Sequence, residues 1–353
     1  MARHVTPTTE LEAGPVLAVT LGDPVGIGPE IVARTLAGPP GDVTARGLAV
    51  GDAVALRRAA KVCDLDVEVR PVTGVAQARF EAGVIDVLDL GIVGDLGDLP
   101  WGQVSAVAGR AAIAAIETAT RMAMADVVDA VVTAPINKEA IWAAGSSHLG
   151  HTELLGALTG SDRYQTMFMV RGLKIFFATR HLSLRKAIDD LTRESLARAI
   201  DESWTALEVL GHDPPRLAVA ALNPHGGEGG HFGVEEIEII GPACEQASAS
   251  GRAVAGPIPA DSVFHQGLQG RYDGVLALFH DQGHIAAKTV DFDGTVSVTM
   301  GLPILRTSVD HGTAFDIAGT GTASHAALAA ACRAAAELTA SKDRIRAEYT
   351  TAA

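Results

Sequence analysis

The chain has 353 residues, 48% of them hydrophobic and 20% charged, enough apolar material for a large core and for two α/β lobes. Its formal net charge of −14 repels polyanions, which argues against nucleic acid or an acidic membrane as partner and leaves an anionic substrate to be caught by a few local cations. Aromatic residues are only 4%, too few for a base-stacking surface, and Cys63, Cys244 and Cys332 are odd in number without CxxC spacing, which disfavours a disulfide framework or thiolate zinc and fits a reducing cytoplasm.

Residues 1–15 read as a disordered tail without the apolar stretch of a signal peptide, and no later run approaches the ~18 apolar residues of a membrane span. VLAVTL (16–21) reads as a buried strand. Gly22, Gly26 and Gly28 then form a tight turn, and Pro29 opens a helix over PEIVARTLAG, since proline has no N–H to lose at a first helical position. GLAVGD begins a second strand, the Ala-rich stretch 104–126 a long helix, and VVDAVVTAP the next strand. Further strands are expected at LKIFFATR, RLAVAAL and YDGVLALFH, with helices around 184–211 and 234–250. Strands alternating with helices predict a mostly parallel sheet covered on both faces. In such sheets ligands bind beyond the carboxyl ends of the strands, where TAPINK, ATRHLS, ALNPHGG and LFHDQG fall.

Three histidines each follow an expected strand: His181 in TRHLS, His225 in LNPHGGEGG and His280 in LFHDQGH. One such histidine is more often a hydrogen-bonded loop residue. Three in equivalent places suit a borderline divalent ion, zinc first and cobalt as an alternative, with a coordination position open to substrate; magnesium, a harder ion, is the remaining alternative. They are too far apart in sequence for one helix or hairpin, so only tertiary structure can assemble them. Asp281 beside His280 reads either as a carboxylate orienting a ligating imidazole or as a helix cap.

GHTELLG places His151 and Thr152 at a helix start, where free N–H groups favour an anion; Thr152 reads equally as the N-cap. Lys288 and Arg306 are the cations set against a phosphate or carboxylate. Lys138, at a strand-to-helix junction, reads as a partly desolvated proton carrier or as a solvated first-turn lysine. GDPVGIG does not have the glycine spacing of the GxGxxG dinucleotide fingerprint.

The phrases GDPVGIGPEI, TAPINKEAI, GHTELL, LNPHGGEGGHFG, PADSVF, HDQGH and GLPILRTSVDHGTAFDIAGTG, spread from Val16 to the region of Ala330, resemble the PdxA family, the 4-hydroxythreonine-4-phosphate dehydrogenases of pyridoxal phosphate biosynthesis. The resemblance implies a fold like that of isocitrate and isopropylmalate dehydrogenases: two α/β/α lobes with a central cleft, in a homodimer with a shared active site. The lobes would comprise 16–140 with 300–353, and 141–299. HGTAFDIAGTG would hold NAD, through His311, Gly312, Thr313, Asp316 and Gly319.

The resemblance also implies His181, His225 and His280 as metal ligands, the last reaching across the dimer interface. It implies substrate contacts at His151, Thr152, Lys288, Arg306 and Ser297, where serine stands in place of the family's usual asparagine. Lys138 and Asp281 are the candidates for proton transfer. The implied reaction is NAD- and metal-dependent oxidation of 4-phosphohydroxy-L-threonine with decarboxylation to 3-amino-2-oxopropyl phosphate. TAPINKEA, GHTELL and HDQGHI look closer to the subgroup acting on D-threonate or D-erythronate 4-phosphate, which is the alternative. A metal-dependent hydrolase or lyase without nicotinamide, and a non-catalytic phosphometabolite sensor, are the rival readings.

Overall fold

The computed structural model describes residues 14–38 and 45–350; most of the expected N-terminal tail lies outside them. The described strands are β1 (Val16–Thr20), β2 (Arg46–Gly51), β3 (Glu68–Val72), β4 (Val84–Asp89), β5 (Ala130–Thr133), β6 (Gln165–Val170), β7 (Leu173–Phe177), β8 (Arg216–Ala220), β9 (Ala253–Ile258), β10 (Gly274–Ala277), β11 (Val296–Met300) and β12 (Arg306–Ser308). The described residues divide into two compact units, one within 14–162, 302–342 and 349–350, the other of 163–301 and 343–348.

The first unit carries parallel strands in the order β3-β4-β2-β1-β5-β12. VLAVT of β1 is buried at every position, as an apolar run must be when helices cover both faces of a sheet. The turn after it needs glycine: Gly22 has φ +66° and a Cβ there would sit 2.3 Å from the Pro135 carbonyl oxygen. Helix Gly28–Ala37 then opens with proline in its first turn, as expected. The long helix is Ala106–Met124, capped by Ser105, whose Oγ accepts from Val107 N. Its buried stripe is alanine (Ala108, Ala112, Ala115, Ala119, Ala123), so it contributes close approach more than bulk. Gly109 extends that economy, since its Cα faces the backbone of helix Lys138–Ala143.

The second unit orders its strands β11-β6-β7-β10-β8-β9. β6 runs antiparallel to both β11 and β7, and the remaining pairs are parallel. The hairpin β6–β7 turns on Arg171 (φ 46°) and Gly172 (φ 84°), two successive left-handed residues matching the twist of the flanking strands. The expected strands LKIFFATR, RLAVAAL and YDGVLALFH contain β7, β8 and β10, whereas β6, β9 and β11 are not among the expected strands. Phe168, Ile175, Phe177, Val263, Phe264 and Val275 form the centre of this core.

Four expectations need correction. The helix read over 184–211 is two helices, Leu184–Asp189 and Arg193–Val209, because Thr192 and Ser195 form a reciprocal cap that starts a new helix. The helix read over 234–250 is a π-helical turn, Glu236–Ile240, leading into Gly241–Ala249 with Pro242 in its first turn. The unit boundary falls after Asp162 and not at 140, because helix His151–Thr159 packs on Ala106–Met124; His151 and Thr152 therefore belong to the first unit. Residues 343–348, expected with the first lobe, join the second, where Arg344 Nε donates to the Val209 carbonyl at 2.9 Å. No helix among the described residues is long and apolar enough to cross a membrane.

Candidate active site

In the first unit the end of β5 gathers the polar groups. Arg306 opens β12, opposite Val131 of β5, and is only 4% exposed. Its Nε and Nη2 donate to Thr133 Oγ1 at 3.1 and 2.6 Å. Burial pulls its pKa down to about 10, which leaves it charged at neutral pH. His151 is the first residue of its helix, with Gly150 as N-cap, so Thr152 is not the cap.

The imidazole of His151 is hydrogen-bonded to the Ala134 backbone, and burial first, the Arg306 charge second, hold its pKa well below the usual histidine range. Its Nε2 is buried with no hydrogen-bond partner. A neutral ring donating from Nδ1 to a carbonyl presents Nε2 as an acceptor. A buried guanidinium and a neutral imidazole acceptor thus stand together, a pairing suited to a ligand carrying both an anionic group and a hydroxyl.

Lys138 follows the cap Asn137, whose Oδ1 accepts from Ala140 N at 2.9 Å, and it is exposed. It is the solvated first-turn lysine, not a desolvated one. Asp23, which sequence reasoning passed over, is fully buried in the turn after β1. Its Oδ1 accepts from Val25 N at 3.0 Å, while Oδ2 has no partner. Burial pushes its pKa up to about 6. The available signal was an acid between Gly22 and Pro24, directly past an apolar strand.

The segment assigned by resemblance to the dinucleotide lies on the same unit. Ile27 N donates to the Thr313 carbonyl at 3.0 Å. Buried Glu30 accepts from Gly319 N at 2.7 Å and Gly321 N at 2.9 Å. Thr313 is buried, whereas His311, Gly312 and Asp316 are exposed, and a Cβ on Gly312 would meet nothing within 4 Å. One end of the loop is fixed and the other leaves room for a flat ligand, so these residues fit a nucleotide.

The second unit holds the three histidines. His181, just past β7, has φ 33°, and His225 has φ 54°, left-handed values that a histidine adopts only where the surroundings hold it there. His280 is not on a loop: it is the first residue of helix His280–Val290, with Phe279 as N-cap. The rings of His181 and His280 lie 6.1 Å apart and line a cavity of about 280 Å³ with Thr179, Arg180, Leu184 and Asp281. Asp281 Oδ1 is 2.6 Å from His280 Nδ1, so Asp281 orients the ring and does not cap the helix. His284, the second imidazole of HDQGH, stacks on His280 at 3.5 Å, meets Phe168 edge to face and lies tilted against Phe177.

His225 stays apart from this pair. It begins a run of left-handed residues through Gly229, braced by Glu236, whose Oε1 accepts from the backbone N–H of Leu222 and Asn223 at 2.8 and 2.7 Å. Among the described residues no group of three or more His, Cys, Asp or Glu is placed to hold a metal ion. The pair His181 and His280 fits a borderline cation, and further donors have to come from outside it. Lys288 lies two turns along the His280 helix with Nζ 5.0 Å from the Phe292 ring, and Ser297 sits in β11 opposite Phe168.

The family model described as pyridoxal phosphate biosynthetic protein PdxA matches residues 44–335. A protein of Cutibacterium acnes provisionally named D-threonate 4-phosphate dehydrogenase is 54% identical over 95% of this chain and 97% of its own length. One of Symbiobacterium thermophilum with the same provisional name is 50% identical over 95% of this chain and 100% of its own. The crystal structure of a 4-hydroxythreonine-4-phosphate dehydrogenase from Klebsiella pneumoniae superposes with a TM-score of 0.85 at 42% identity, covering 93% of this chain and 98% of that one.

Proposed function

The chain belongs to the PdxA family of dehydrogenases, and from that premise we propose that it is an NAD- and divalent-metal-dependent enzyme that oxidises and decarboxylates D-threonate 4-phosphate. The observation that carries this reading is the buried Arg306 beside the neutral, unpartnered Nε2 of His151, which asks for an anion and a hydroxyl on one small molecule. The relatives at 54% and 50% identity favour threonate as that molecule. 4-Phosphohydroxy-L-threonine is the second reading, favoured by the 42%-identical Klebsiella enzyme and matched by the same pair of groups.

The reaction balances as substrate plus NAD+ giving dihydroxyacetone phosphate, CO2 and NADH. A bound NAD+ would supply the hydride acceptor for the carbinol carbon β to the carboxylate, and a bound divalent ion would supply the Lewis acid for its hydroxyl. His181 and His280 are the residues that would hold the ion, joined by His225. Arg306 fixes the phosphate as a charged fork, and His151 accepts from a substrate hydroxyl and sets its orientation. Lys138, solvated in the free protein, moves the proton only once bound substrate strips its water. Asp281 has one oxygen on His280 and an exposed side chain, which suits it to holding that imidazole rather than to proton transfer.

A second copy of the chain is the proposed partner. Leu182, Leu184, Phe232, Val234, Ile237 and Ile285 are apolar, exposed, and close in sequence to the three histidines. An apolar surface around a metal site that lacks donors is what a second subunit would cover, its His225 bringing the missing imidazole in place of the His280 that the resemblance sends across the interface.

The test is to incubate the purified protein with NAD+, a panel of divalent ions and either phosphate ester, following NADH and CO2. A higher kcat/KM for D-threonate 4-phosphate is expected. Preference for the amino acid ester would replace this reading with the second. Release of inorganic phosphate or loss of water without NADH would replace both with the hydrolase or lyase.

A further inference from the structure

Glu30 is a carboxylate in the first turn of helix Gly28–Ala37, completely removed from solvent. Burying a carboxylate is costly unless hydrogen bonds replace its water. An apolar side chain would serve the core better, so the residue is explained by what its oxygens hold. Both are used on a single distant loop: Oε1 takes the N–H of Gly319 and Oε2 the N–H of Gly321. One helical turn on, Arg34 Nη2 donates to the Gly321 carbonyl at 2.5 Å, so the same peptide segment is gripped by both donor and acceptor.

The other contacts of that loop are close fits as well. Gly319 has φ +80°, and a Cβ on it would lie 2.4 Å from the Trp101 ring, itself covered by Arg58 at 3.8 Å. Gly26 abuts Thr313, and Gly102 abuts the Phe315 carbonyl. The loop is therefore clamped along one side while His311, Gly312 and Asp316 face outward.

Building on the NAD reading above, we infer that Glu30 is a positioning residue for the cofactor: it latches the 311–321 loop in its binding shape before the dinucleotide arrives. A loop already ordered loses less conformational freedom on binding, so the latch raises affinity without touching the ligand. Replacing the carboxylate by an amide keeps the volume but sets an NH2 against a backbone N–H, donor against donor, and one of the two bonds is lost.

The experiment measures NAD+ binding to the protein by calorimetry and by intrinsic tryptophan fluorescence, to which Trp101 contributes with Trp142 and Trp204, alongside steady-state kinetics. Glu30→Gln is expected to weaken NAD+ binding about tenfold and to raise KM for NAD+ in step. KM for the sugar-acid phosphate and kcat at saturating NAD+ should stay near the wild type. Glu30→Asp, which keeps the charge, should recover part of the loss. Should Glu30→Gln fail to fold, Arg34→Met removes the neighbouring grip and is expected to weaken NAD+ binding in the same direction. A folded Glu30→Gln or Arg34→Met protein that binds NAD+ as tightly as the wild type overturns the latch, as does an equal rise in both KM values. Wild-type protein that does not bind NAD+ at all overturns the cofactor reading and the latch with it.

Discussion

His280 and Asp281, adjacent in sequence, are also partners in space: the imidazole Nδ1 and the carboxylate Oδ1 are 2.6 Å apart, while His284 stacks on the other side of the ring. The imidazole is thus held by Nδ1, which leaves Nε2 as the nitrogen for the proposed cation. A carboxylate in that position makes the ring a better ligand. Asp281→Asn is expected to lower metal affinity about 10–100-fold with an unchanged circular dichroism spectrum. Equal zinc or cobalt affinity in the variant, by competition with a chromophoric chelator, would show that the pair has no role in holding metal.

Asp23 makes stability depend on pH in an unusual direction for a carboxylate. Its folded pKa, about 6, lies above the ordinary 3.8, so the folded state binds the proton more tightly than the unfolded chain. Its contribution is complete below pH 3.8 and is lost as pH rises through about 6, amounting to roughly 3 kcal/mol between the two limits. Asp23→Asn keeps an oxygen for Val25 N and has no charge to desolvate. It should be more stable than the wild type at pH 7.5, by about 1–3 kcal/mol, and no more stable at pH 4. Urea midpoints at the two pH values check this, and equal differences at both would contradict it. His151 acts with the opposite sign: its lowered pKa removes stability as pH falls below the ordinary histidine value, so the comparison is between variants at each pH rather than between pH values.

Gly109 tests the packing beneath Lys138. In an open helix, glycine to alanine stabilises by about 1 kcal/mol. Here the new Cβ would fall 2.0 Å from the Ala140 carbonyl oxygen and 2.4 Å from its carbon, and backbone cannot swing aside as a side chain end can. Gly109→Ala is therefore expected to destabilise by about 2–4 kcal/mol and to reduce turnover by shifting the helix that begins at Lys138. A rise in Tm would show that the two helices are further apart than described.

Much of this was legible in the sequence where local signals act alone. VLAVT could only be a strand buried on both sides, Pro29 could only open a helix, and the HDQGH phrase carried its imidazoles whatever surrounded them. What escaped depends on partners far along the chain. Glu30 reads as a helix-start acid until Gly319 and Gly321 appear opposite it. Asp23 reads as a turn residue until burial removes its water. The hairpin β6–β7 turns on Arg-Gly, a weaker signal than Asn-Gly, and its antiparallel strands interrupt a parallel pattern. The break at Thr192 was hidden because helical periodicity continues across it, and only the reciprocal bonds with Ser195 end one helix and begin another.

Arg306 is where the substrate reading can be taken apart atom by atom. The guanidinium is buried, with Nε and Nη2 both directed to Thr133 Oγ1, and its charge is felt by His151. Arg306→Lys preserves the charge but replaces a planar fork by a single ammonium that cannot meet Thr133 and an anion in the same geometry. A charge-assisted hydrogen bond is worth about 1.5–3 kcal/mol, so KM for D-threonate 4-phosphate should rise about 10–100-fold with a smaller change in kcat. Dephosphorylated D-threonate, a poor substrate, separates the two ends of the molecule. If the guanidinium grips the phosphate, wild type and Arg306→Lys should turn over this truncated acid with similar kcat/KM. If it grips the carboxylate, the variant should lose activity toward both compounds in equal proportion, and the assignment of Arg306 to the phosphate would be wrong.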